Sequence, residues 1–138
     1  MKKYYPTKQE VLNMDIIIST KEISTLKKWK KQVWSKVIKG SKQQKVEALT
    51  KLISSMAKLY KLKINVRYNS DIPTAYYDPL NIEITLNNES IVTAIHELGH
   101  AIFGPSELKA CAFSVQLFKK VFPKAYKKLK WRGHMLVK

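Results

Sequence analysis

The sequence predicts a mostly helical α+β domain in which a small sheet or hairpin packs beside one histidine-bearing helix. Apolar residues recur at helical spacing before residue 61 and again after residue 90. Between them, two short runs alternate apolar and polar residues, which is strand spacing. Ser19 with Glu22 and Ser41 with Gln44 three residues on mark two helix starts.

Taken in order, residues 1–18 leave a choice open, since Val11 to Ile18 suits a short helix or a strand. Ser19 with Glu22 forms a capping box, after which Ile23, Leu26, Trp29, Val33 and Val37 keep helical spacing as far as Gly40. Lys27, Lys28, Lys31 and Lys36 fall mostly off that stripe, as on a helix packed against the domain with a lysine-rich outer face. Ser41 with Gln44 opens the next helix, whose packing edge is Val46, Leu49, Ile53, Met56 and Tyr60. Leu62, Ile64, Val66 and Tyr68 then alternate as a strand, and residues 69–73 read as a turn. Ala75-Tyr76-Tyr77 and Ile82, Ile84, Leu86 alternate again around the break Asp78-Pro79.

The next helix carries His96-Glu97-Leu98-Gly99-His100 within an apolar stripe from Ile91 to Phe103, behind cap residues 87–90. Two imidazoles four residues apart share one helix face, about 6 Å apart along the axis. Zn²⁺ takes nitrogen ligands at about 2.0–2.1 Å, and such a pair can straddle one ion. Glu97, rotated about 100° from His96, stands beside that ion as a base for its bound water. This is the H-E-x-x-H pattern of metallopeptidases.

A third protein ligand is needed, and Glu107 is the nearest downstream candidate. On an unbroken helix it would stand about 10 Å beyond His100. Gly104-Pro105 ends the helix and lets the chain fold back, putting Glu107 in the first turn of a new helix. That helix shows Leu108, Cys111, Val115, Phe118 and Phe122 on one side, so Cys111 reads as a buried core thiol. Pro123 ends it, and residues 124–131 read as one more short helix, leaving His134 in a frayed tail unless the C-terminus docks.

With 138 residues, 45% of them hydrophobic, this is one ordered domain, 1–138, with a basic helical part at 19–61 and a catalytic core at about 62–123. The polar start is a poor secretory leader, no apolar run is long enough for a membrane span, and the single cysteine suits a reducing compartment. A cytoplasmic location is therefore expected. The net charge of +16 is uneven. Residues 1–63 carry +12, residues 64–108 carry −5, and residues 109–138 carry +9 with no acid. Such flanks suit nucleic acid or an acidic partner, or a solvated surface, since 24 of the 26 basic residues are lysine.

The residues 45–123 resemble the zincin metallopeptidases, and among them the ImmA/IrrE family. The shared pattern is a helix, a small sheet, the H-E-x-x-H helix, and a helix carrying Glu107, Ala110 and Phe113. The resemblance implies a minimal zincin-like domain binding one Zn²⁺ through His96, His100 and Glu107, with Glu97 as base. It further implies a protein or peptide substrate, often a DNA-bound repressor of mobile elements, and a phage or mobile-element origin. The strand with Ile82, Ile84 and Leu86 corresponds to the sheet edge above the family's cleft, where an extended substrate can add as a strand. Tyr76, Tyr77 and His134 are candidates to stabilise the oxyanion. The His100–Glu107 gap is shorter than usual in that family. SprT-like DNA-associated proteases are an intermediate reading, but they use a downstream histidine, and none lies between His100 and His134. The competing reading is a basic nucleic-acid- or partner-binding regulator on the same scaffold.

Overall fold

A computed structural model describes residues 5–137; Met1–Tyr4, which include most of the polar start, and Lys138 lie outside them. The open choice at the N-terminus resolves as a helix, α1 (Lys8–Asn13), with Thr7 and Glu10 forming a capping box. Residues 14–19 belong to no helix or strand and lead to the Ser19/Glu22 capping box of α2 (Thr20–Trp29). A π-helical turn, Lys30–Trp34, and α3 (Ser35–Val37) carry α2 onward, and α4 (Lys42–Lys58) starts at the Ser41/Gln44 box. Both expected capping boxes are therefore present. Trp29 ties α2 to α4 by donating its indole N–H to the Ala48 carbonyl at 2.7 Å.

Three strands follow: β1 (Asn65–Tyr68), β2 (Tyr76–Asp78) and β3 (Glu83–Leu86). Their order is β1-β3-β2, with β1 parallel and β2 antiparallel to β3. This corrects the expectation that Ile82, Ile84 and Leu86 line a sheet edge. β3 is the central strand, and Ile82 lies outside it in the β2–β3 turn at φ 50°. The alternation misleads because Thr85 counts as polar yet is buried, so Ile84, Thr85 and Leu86 are covered on both faces. The edges are β1 and β2.

Helix α5 (Ile91–Phe103) lies beside α6 (Glu107–Val121), and their apolar faces form the centre of the core with α4 and β3. Gln116 on α6 donates to the carbonyls of Val11 and Met14, both at 3.0 Å, which anchors α1. The expected last helix is shorter than read: α7 covers Pro123–Lys128. Trp131 belongs instead to β4 (Lys130–Arg132), which pairs with β5 (Met135–Val137). The lysine-rich run hides this hairpin because it has no apolar periodicity. The signal was Gly133-His134, a two-residue loop whose glycine sits at φ 62°. Among the described residues, no helix is long and apolar enough to cross a membrane.

Candidate metal centre

Ser90 caps α5 by accepting the Thr93 amide at 3.2 Å, and the helix then buries His96 and Glu97 along with its apolar stripe. It stops at Gly104, whose φ of 88° is a left-handed value that costs glycine nothing. Ser106 caps α6 through the Lys109 amide, which makes Glu107 the first helical residue, at the positive end of the dipole. The fold-back brings α6 very close to α5. A Cβ on Gly99 would meet Ala110 Cα at 3.0 Å, so the glycine inside the motif sets the approach that carries Glu107 to the histidines.

One oxygen of Glu107 receives both imidazoles. Oε1 lies 2.7 Å from His96 Nε2 and 3.0 Å from His100 Nε2, with the two rings nearly perpendicular at 83°. His100 Nδ1 stands 3.0 Å from the Gly104 carbonyl. A carbonyl only accepts, so Nδ1 carries the hydrogen and a neutral His100 turns the lone pair of Nε2 toward the carboxylate. Two lone pairs facing each other at that distance need a cation between them. Without a metal, that cation is a proton: the Glu107 carboxylate raises His100, and the hydrogen bonds from His100 and His96 hold Glu107 far below the ordinary carboxylate range.

The same atoms suit a divalent ion. Tetrahedral zinc separates its ligand atoms by roughly 3.3 Å, slightly more than the spacings found here, so small side-chain rotations suffice. The potential ligand atoms of His96, Glu97 and His100 also lie within 4.8 Å of one another, which puts the buried Glu97 carboxylate beside the same point. Cys111 is close too, with Sγ 3.6 Å from His96 Nδ1, and it groups with His96 and Glu107 within the same 4.8 Å. Its thiol is buried and pushed up to about 12 by burial, so it stays protonated beside the His96 ring.

No protein-family model matches this chain, and no curated protein or solved structure matches it either. What the site can do follows from its own geometry.

The three residues form the floor of a cleft of about 1110 Å³. Tyr76 and Tyr77 of β2 line one side, Pro105 and Ser106 the α5–α6 turn, and His134 and Met135 of the C-terminal hairpin another. His134 is thus docked rather than frayed, with Nε2 3.9 Å from Glu107 Oε2 and its ring stacked on Tyr5 at 5.2 Å. Of the expected substrate-strand residues, Ile82, Ile84 and Leu86 do not line the cleft, because β2 stands between β3 and that side. Tyr5, Gly99 and Met135 were not anticipated. Tyr5 and Met135 sit far from the motif in sequence, but Gly99 lay in plain view as the one motif residue without a side chain. No described lysine or arginine lines the cleft.

Proposed function

We propose that this chain is a zinc-dependent metallopeptidase, similar in kind to the ImmA/IrrE zincins, that hydrolyses a peptide bond in a protein substrate. The observation that carries the reading is the meeting of His96 Nε2 and His100 Nε2 on one oxygen of Glu107 in an open cleft, with Glu97 alongside. His96, His100 and Glu107 would hold the ion. When bound, zinc lowers the pKa of a coordinated water and polarises a carbonyl.

The chain's own residues do the rest. Glu97, buried beside the ligands, takes a proton from the attacking water and passes it to the leaving amine. His134 is the donor best placed for the developing oxyanion, with Tyr76 and Tyr77 across the cleft. The edge strand β2 offers its outer side to an extended peptide. A cytoplasmic repressor protein is the substrate class that the motif resemblance favours.

The test is Glu97→Gln in zinc-loaded protein, assayed by mass spectrometry on a peptide library beside metal analysis. Retained zinc with cleavage reduced by about 10²–10⁴-fold is expected. Cleavage at the wild-type rate would overturn the role of Glu97, and no cleavage by the wild-type protein of either the library or denatured proteins would overturn the peptidase reading.

A further inference from the structure

The cleft uses one end of α6, and the other end has a different chemistry. From Glu107 to Val121 the helix runs about 20 Å. At its far end Lys119 and Lys120 are exposed, and Lys124 follows on α7. The lysine-rich side of α2 reaches the same place: Lys30 Nζ donates to the Val121 carbonyl at 3.0 Å and lies 4.7 Å over the Phe122 ring. Lys27, one turn before Lys30, and Lys31, which follows it directly, are both exposed. Residues 23–46 hold eight lysines and no acid, and residues 108–138 hold no acid at all. No described lysine forms an ion pair, so these charges are not neutralised within the domain.

We propose that this end of the molecule, formed by Lys27, Lys31, Lys119, Lys120 and Lys124 around the end of α6, docks on the phosphate backbone of duplex DNA. A duplex carries one negative charge per about 1.7 Å of axis, the partner to which a broad, unpaired lysine surface responds most strongly. The side-chain chemistry selects among polyanions. Single strands are held by exposed aromatic platforms, but here Trp29 and Phe122 are buried and Tyr126 lies under Lys119. Lysine donates without accepting, which serves phosphates and does not read the 2′-hydroxyls of RNA. Membrane surfaces require apolar insertion, and the exposed large hydrophobics on the flanking segments, Ile17 and Ile38, are single residues rather than an apolar cluster. Lysine in place of arginine also means contact without base readout, so binding is independent of sequence.

The experiment is fluorescence anisotropy of a short DNA duplex of arbitrary sequence, titrated with the full chain over a range of salt. Five phosphate contacts predict a slope of log K against log[salt] near about −4.5. The variant K27Q/K31Q/K119Q/K120Q/K124Q should flatten that slope by about 4 to 5, while K21Q/K51Q/K58Q/K61Q/K63Q, with the same charge change placed elsewhere, should leave most of it. Circular dichroism and bound zinc check that both variants fold. Equal slopes for the two variants would reduce the effect to net charge and overturn the assignment. Tighter binding to an RNA duplex or to phosphatidylserine vesicles than to DNA would overturn the choice of partner.

Discussion

Helix α6 joins two regions built on opposite principles. At its first residue, one carboxylate oxygen meets two imidazoles within 3.0 Å, each ring is oriented from behind, and the neighbouring helix approaches to contact distance at Gly99. At its last residues, lysines stand exposed with no acid near them in sequence and only Lys30 held by a fixed bond. Coordination chemistry needs atoms placed to a few tenths of an ångström, so it draws on packing and hydrogen bonds from several elements. Attraction to a polyanion needs density of charge, which tolerates mobile side chains. The same substitution should therefore be severe at one end and mild at the other.

The largest expected effect tests that contrast directly. Glu107→Ala or His96→Ala should weaken zinc binding by more than about 100-fold, since loss of even an outer-shell partner costs about 10–100-fold. Lys119→Gln with Lys120→Gln should leave it unchanged. Titration with a chromophoric chelator measures both, and zinc held equally well without Glu107 would break the comparison at its stronger end.

Next is Gly99→Ala. The added methyl would sit 3.0 Å from Ala110 Cα and 3.3 Å from its Cβ, and backbone and Cβ cannot swing aside as a flexible side chain would. Overpacking of this kind costs about 1–3 kcal/mol, read as a lower midpoint in urea. If α6 relieves the clash by moving outward, Glu107 moves with it and zinc affinity falls as well. A variant that loses neither stability nor zinc would mean that the close approach is not what positions Glu107.

The contrast also explains what could be read from the sequence. Local signals were sufficient wherever one short segment determines the outcome: the capping boxes at Ser19 and Ser41, the break at Gly104-Pro105, and the fold-back of Glu107. Features that depend on distant pairing were not legible. Whether the strand after Ile82 lies at the edge or the centre depends on β1 pairing with it in parallel, which its own alternation does not encode. The docking of His134 depends on a hairpin in a lysine-rich run and on Tyr5 from the other end of the chain. Of the site, the motif and its third residue were legible, and the walls of the cleft were not.

A smaller effect concerns pH in the metal-free protein. Glu107 is lowered from its ordinary 4.5, so its contribution to stability is present above that pH and fades as the pH falls toward its depressed value. His100 is raised from its ordinary 6.5, so its contribution is complete below that pH and fades as the pH rises through the raised value. Chelated protein should therefore gain most from this pair between pH 4.5 and 6.5. Zinc-loaded protein should show the opposite trend at the upper limit, because the ion needs neutral imidazoles and gains as they deprotonate. Thermal melts with and without chelator measure the difference, and Glu107→Gln should remove both trends.

The smallest effect probes the other end of α6, at its one ordered lysine. Lys30 donates to the Val121 carbonyl, one of the acceptors left open where the helix ends, and its stem lies on Phe122. Lys30→Met keeps an unbranched apolar stem over the ring and removes only the ammonium. A cation at a helix C-terminus contributes about 0.3–1 kcal/mol where it is exposed to solvent, so the denaturation midpoint should fall slightly. The effect should shrink further in high salt, which screens an exposed charge. A loss well above that range would mean that Lys30 belongs to the core as Trp29 does. The lysine end would then rest on fixed contacts, as the histidine end does, and the contrast between the two would fail there.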